Sequence, residues 1–330
     1  MMALGVGIAL RFAAEPMAAS GSPFGRQLGL ASSGFQILGI SSFLLNFAVT
    51  RHRESAFRGW QSIYVYSSFF WLSVVTLIEP LAFWGSHQTD PLASIQFVAE
   101  RFAPLRELQF LGFAAMMIFG VALTKLSTCF NAQPSNKALG LAGFGWWTSG
   151  VLLRVGGWLW AFHNGLEGPS QRFYFAGSVC LAIGAFYIVA STRVFRKLQP
   201  VLQSHKFIRS AFGWLLFACL MLVAEPLVLA SVSRPFDHAY TGAIRHAVTV
   251  GFISQMILGV GTHVVFRMRD VPDSSMPNLV PTFLLLNIGN ALRVGLEVAT
   301  MYTPSAFLPM GLTGFVELTG LVLWGVVIGT

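Results

Sequence analysis

Apolar tracts of about 20 residues recur down the whole chain, each long enough as a helix to cross a hydrocarbon layer roughly 30 Å thick. Backbone N–H and C=O groups in hydrocarbon must be satisfied within their own segment, so tracts of this length read as helices. Hydrophobic residues make up 55% of the chain and charged ones 10%, which leaves too little polar surface to coat a soluble core and excludes that class. The expected fold is all-α, a polytopic transmembrane helix bundle. Full spanning helices are predicted near 26–49, 60–84, 106–126, 139–161, 172–196, 207–231, 245–266, 278–300 and 309–329. The first twenty residues, "MMALGVGIALRFAAEPMAAS", are apolar but hold Arg11, Glu15 and Pro16, and they lack the positive start and small-residue cleavage site of a signal peptide. They read as a short N-terminal helix, the tail of one whose beginning is missing. Cys129, Cys180 and Cys219 sit in or beside apolar tracts without C-x-x-C spacing and read as buried core residues.

The chain also resembles itself. "RELQFLGFAAMMIFGVALT" from Arg106 aligns with "RHAVTVGFISQMILGVGTH" from Arg245, and "LLRVGG" around Arg154 aligns with "ALRVGL" around Arg293. Both arginine pairs are 139 residues apart, which predicts a repeated unit of about four helices within one membrane domain. The approximate units are 26–161 and 172–300, with partial copies at 1–20 and 309–330. "ALRFAAEP" around Arg11 is a third copy of one helix end, while "VVTLIEPL" and "LMLVAEPL" keep Glu79 and Glu225 before proline but lack the arginine. On this count the chain enters its first repeat late and stops as another begins, the pattern of a fragment of a longer protein.

Charge sets the expected sidedness. Loops leaving one helix type carry a basic series from Arg51, Arg53 and Arg58 through Lys125, Lys137, Arg193, Arg196 and Lys197 to Lys206, Arg209, Arg267 and Arg269; the opposite loops hold far fewer cations. The positive-inside rule places that series in the cytoplasm and accounts for most of the +8 net charge without invoking nucleic acid. Arg11, Glu15, Glu79, His87, Arg106, Glu107, Arg154, His163, Glu225, His238, Arg245, His246, Arg293 and Glu297 then all lie toward the outer face.

A charge near the bilayer centre costs roughly 2.5–3.5 kcal/mol on insertion scales, so these residues need partners. Arg11 with Glu15, and Arg293 with Glu297, are four apart on one helical face and are expected to pair directly. Arg154, Glu79 and Glu225 have apolar residues at that spacing and must find partners on other helices. Two readings stand side by side: an ion-pair belt that fixes helix register, and a water-accessible cavity in which Arg154, Arg245 and Arg293 hold an anionic ligand such as haem (heme) propionates. Among the histidines, His52, His205 and His238 read as residues of charged loops. His246 follows the repeated arginine, replaces the Glu107 of the sister helix, and is the candidate metal ligand. His263 lies about 25 Å further along the helix, too far to share its metal. His87 and His163 close helices on the side of His246 and are further metal candidates.

"RHAVTVGFISQMILGVGTHVV", "LLLNIGNALRVGLEV" and "GFVELTGLVLWGVVIG" resemble, in order and spacing, the closing helices of the NnrS family, polytopic bacterial membrane proteins. The resemblance implies haem, with copper as a second metal, a role in nitric oxide metabolism or nitrosative stress, and the bacterial inner (cytoplasmic) membrane as the location. It carries onto His246 and onto Glu317 of "GFVEL". The four-helix repeat is also similar in plan to the catalytic subunit of haem-copper oxidases, but an adjacent His pair and a His-x-x-x-Tyr motif are missing, and likeness of plan alone assigns no activity. The expected partners are the lipid bilayer and nitric oxide or another small ligand. The alternative is a transporter or channel whose Arg/Glu belt lines a substrate path. Helices that read as unbroken, and the lack of an ATP-binding motif, argue against it.

Overall fold

The computed structural model describes residues 2–53, 59–129, 133–164, 168–196, 203–234, 236–272 and 276–329, except for the side chains of 51–53, 128 and 129. The expectations for the side chains of Arg51, His52, Arg53, Arg58, Cys129 and Lys197 lie outside the described residues. Among the described residues the fold is all-α. The helices are α1 (Met2–Ala19), α2 (Pro23–Arg53), α3 (Ser62–Ser86), α4 (Pro91–Glu107), α5 (Met116–Cys129), α6 (Lys137–Asn164), α7 (Pro169–Thr192), α8 (Gln203–Ser231), α9 (His238–His246), α10 (Gln255–Met268), α11 (Val280–Ala299) and α12 (Phe307–Gly329). Two π-helical stretches, π1 (Leu108–Ala115) and π2 (Ala247–Ser254), join α4 to α5 and α9 to α10, making ten continuous helices.

Nine of the ten are long and apolar enough to cross a membrane, so by helix length and hydropathy this is a multi-pass membrane protein. The apolar 18 residues of α1 belong to that set, so the N-terminal segment is not the short extra helix expected. The 28-residue α6 falls outside it, because Lys137, Arg154 and many glycines dilute its hydropathy.

Two helices begin well before their expected starts, and charge is the reason. Arg101 reads as a loop residue and Arg106 as the mouth of a helix starting there, yet Glu100, Arg101, Arg106 and Glu107 all lie in α4; Glu100 pairs with Arg101 at 2.7 Å. Asp90 caps α4 by accepting from the Leu92 N–H at 3.0 Å, with Pro91 at the first helical position, where its missing N–H costs nothing. Asp237 caps α9 in the same way, accepting from Ala239 at 2.8 Å and Tyr240 at 3.3 Å. Burial alone would raise the Asp237 carboxyl pKa, but these bonds and Arg234 outweigh it and hold the pKa below the usual carboxylate value. The cap's contribution is therefore present above the unfolded carboxylate pKa and lost as pH falls through the lower folded value. Likewise His205 is not in a loop but buried on α8.

The chain divides into two compact units, Met1–Gly120 with Val151–Tyr174, and Val121–Gly150 with Phe175–Thr330. In the first, α1 and α2 form a hairpin through Gly21, which takes a φ of 83° open to glycine. There Ala14, Ala18 and Phe83 are buried with Leu28 and Leu30 against them, and α3 packs on α2, α4 and π1. In the second, α8 packs on π2 and α10, α11 on α9 and π2, and α12 on α11. Phe207, Leu258, Leu279 and Leu286 form its buried cluster, flanked by Phe283, Trp324 and Val327. The helices run through without a break, as expected, but two of them widen: π1 follows directly on Glu107 and π2 on His246, and the two stretches stand 139 residues apart at both ends. An i→i+5 turn is rare and strains the ladder, and such turns occur frequently at functional sites.

Candidate functional site

In the first unit several ionisable groups are matched across helices. Arg11 donates to Ser33 Oγ at 2.7 Å, to Ser32 Oγ at 3.2 Å and to Glu79, and its guanidinium sits 4.1 Å over the Phe83 ring. Ser33 in turn donates to the other Glu79 oxygen at 2.7 Å. Glu15 lies 3.6 Å from Arg11, as its spacing predicts, and 3.3 Å from His87 Nε2. The other ring nitrogen of His87 is 2.9 Å from the Phe83 carbonyl oxygen. Arg154, 2% exposed, donates from Nε at 3.0 Å and Nη2 at 2.7 Å to Glu107 Oε1, and also to the Tyr174 hydroxyl, whose ring it overlies at 4.0 Å. His163 is 3.2 Å from Glu100, and Arg106 donates to Gln109 at 2.7 Å on the surface. Glu79 and Arg154 thus find cross-helix partners, as expected of them. His87 and His163 each face one carboxylate, and among the described residues no three His, Cys, Asp or Glu side chains converge at metal-binding spacing.

The second unit is different. His246 ends α9, with Nε2 3.7 Å from Glu297 Oε2; Arg293 Nε lies at the same distance from that oxygen. Neither separation is short enough for a hydrogen bond. Arg293 Nη1 donates to the Met310 carbonyl at 3.1 Å. Arg245 and Arg293 both act electrostatically on Glu297, and Arg293 acts on Glu317. His246 Nδ1, Arg293 Nε, Glu297 Oε2 and Glu317 Oε1 are all buried without a hydrogen-bond partner, and so are both amide atoms of Asn290. Five neighbouring polar residues left this way are unusual, since roughly 90% or more of buried polar groups are bonded. Glu297 also faces a cavity of about 450 Å³ whose wall includes Arg234, Asp237, His238, Met301 and Met310. Glu225, buried on α8, belongs to this unit too.

Of the residues singled out in the sequence, the structure therefore gathers Arg245, His246, Arg293, Glu297 and Glu317 in one place. It gives Arg11, Glu15, Glu79, His87, Glu107, Arg154 and His163 carboxylate, cation or phenol partners in the first unit. Sequence reading missed Glu100, Tyr174, Asn290 and the amide cluster in which Asn287 Oδ1 accepts from Ser210 at 2.6 Å, Gln255 at 2.9 Å and Trp214 at 3.0 Å. The signal for the amides was present: "NIGN" and Gln255 put carboxamides inside apolar spans, where polar side chains are expected to bond across helices.

The near contact of Arg293 with Glu297 gives a test by charge exchange. Arg293→Glu with Glu297→Arg should leave more monodisperse protein in detergent than either single change, because each single change leaves two like charges four residues apart. A double variant no better than the worse single would show that the two charges do not interact.

No protein-family model matches the chain, and no curated protein matches it.

Proposed function

We propose that this is a haem-binding integral membrane protein of the NnrS type, acting in nitric oxide metabolism or the nitrosative-stress response. His246 would supply an imidazole to the iron, and Arg245 and Arg293 would hold the propionates. One observation carries the reading: His246, on the helix that holds the family-like sequence, has a buried ring nitrogen with no partner and its other nitrogen beyond hydrogen-bond range of Glu297. The donor set fits one axial imidazole, and two arginines beside it suit an anionic edge. Haem bound there would supply an iron able to take nitric oxide. Arg154, committed to Glu107 and Tyr174, is not part of the ligand site. The repeated four-helix plan belongs to the same proposal. It is supported by the 139-residue spacing of π1 and π2, and by Arg154 facing Glu107 where Arg293 and His246 share Glu297.

The cavity at Glu297 favours a second reading, a transporter or channel whose substrate enters there. A reduced-minus-oxidised optical spectrum of the detergent-purified protein separates the two: haem gives a Soret band and visible bands, and their absence removes the first reading.

The basic loops on the opposite side support an outer-face position for the site in the bacterial cytoplasmic membrane. A periplasm-only reporter fused after His163 should be active, and one fused after Lys206 inactive. The reverse order would put the site on the cytoplasmic side.

A further inference from the structure

The cavity of about 450 Å³ in the second unit lies where the turn between α8 and α9 meets the end of α11 and the start of α12. Glu297 belongs both to its wall and to the group around His246. The Glu297 Oε2 atom is turned toward His246 and Arg293, 3.7 Å from each, which leaves Oε1 for the cavity. Oε1 lies against α9 at Gly242, where a Cβ would collide with it. Four residues before Gly242, about 6 Å along the helix at roughly 1.5 Å per residue, His238 stands on the same face of α9 and in the same wall. Its ring lies edge-on to Phe236 at 4.9 Å, and its side chain has no hydrogen bond among the described residues.

The remaining polar groups of the wall are committed elsewhere. Arg234 donates to Asp237 at 2.7 Å, Asp237 caps α9, and the Thr300 hydroxyl donates to the Glu297 carbonyl at 2.6 Å. What is left is apolar: Phe236, Ala239, Met301, Phe307 and Met310. Two aromatic rings and two thioethers suit the face or edge of another ring. At the mouth on the α12 side, Phe307 and Leu308 are exposed, so a tail leaving the cavity finds an apolar surface to lie on.

Charge narrows the ligand further. Arg245 and Arg293 act on Glu297, and Arg293 acts on Glu317, so two cations stand against two carboxylates; Arg234 is matched by Asp237. A further ion of either sign would leave an uncompensated charge in a mostly apolar cavity, which costs far more than burying a neutral group. A neutral ligand must still bring a donor to Glu297, because a carboxylate only accepts, and O–H bonds to a carboxylate are among the strong ones. Hydroxyls at opposite ends of one ring reach Glu297 and His238, which stand a helical turn apart.

We propose that this cavity binds a hydroquinone, a ring with para hydroxyl groups and an apolar tail. One hydroxyl donates to Glu297 Oε1, and the other meets the His238 imidazole. The tail leaves over Phe307 and Leu308 into the bilayer. Binding needs no metal, so the site stands whether or not haem is held at His246.

The purified full chain is mixed under argon with a hydroquinone whose alkyl tail carries a diazirine, then irradiated, and the labelled peptides are read by mass spectrometry. Label is expected at the start of α12, and excess decyl hydroquinone should remove it. The dimethyl ether of that competitor keeps ring and tail but donates no hydrogen bond, so about tenfold more of it or above should be needed for the same displacement. Ala239→Trp fills the cavity and should cut the label by about tenfold or more. His238→Phe changes an exposed position and keeps a ring against Phe236, so the fold should hold while the label falls several-fold. Label that excess competitor does not remove, or wild-type labelling in both variants, overturns the proposal. So does an ether that competes as well as the hydroquinone, which would mark an apolar pocket that any ring fills. The haem spectrum is read on the same samples, so loss of the haem reading is scored separately.

Discussion

Arg154→Leu is expected to leave little folded protein. The substitution removes both hydrogen bonds to Glu107, the bond to Tyr174 and the stacking over its ring, and strands a largely buried carboxylate. Removing one partner of a buried pair costs about 3–5 kcal/mol, because the desolvated charge stays behind without its counter-ion. Against a total stability of roughly 5–15 kcal/mol this is a large share. The double variant Arg154→Leu, Glu107→Leu removes both charges and should recover much of the loss, since apolar replacements of a buried pair are often neutral or better. The measurement is the monodisperse fraction after detergent extraction, with unfolding followed in SDS. A single variant as stable as the wild type would mean that the pair sits in water and holds nothing together.

The first unit shows what such pairs do for the fold. Arg11 ties α1 to α2 through Ser32 and Ser33 and to α3 through Glu79, so one guanidinium fixes three helices. The second unit has the same kinds of residues at the corresponding sequence spacing, but there His246 and Arg293 come no nearer than 3.7 Å to Glu297, whereas Arg154 is bonded to Glu107 and leaves over that residue's Oε2. That contrast separates a structural pair from a candidate ligand site.

The sequence displays some of this directly. Apolar tract length is a local property, so the helical class could be read from it, and the i,i+4 spacing of Arg11 with Glu15 and of Arg293 with Glu297 could be read the same way. Partners between helices are not local. That Arg154 needed one was legible, but Glu107 and Tyr174 could be named only once the helices were packed. The start of α4 was hidden because Arg101 read as a loop charge and Arg106 as a helix mouth, whereas Glu100 is in fact paired with Arg101 and His163. The π turns left no periodicity signal, since one widened turn within a long apolar run changes neither composition nor length. The Asn290 amide was visible as a letter, but its lack of partners is a fact of packing.

The most direct test of the central claim is the reduced-minus-oxidised optical spectrum of purified His246→Ala beside the wild type. The imidazole makes no hydrogen bond through Nδ1 and only a 3.7 Å approach to Glu297 through Nε2, so its removal should not unfold the bundle. Wild-type amounts of the variant are therefore expected in the membrane, with the haem bands lost. Arg245→Leu should hold haem more weakly while keeping the axial-ligand signature. A wild-type Soret band and ligand signature in His246→Ala would contradict the account and leave His246 as a residue at the junction of α9 and π2 with no role in binding iron.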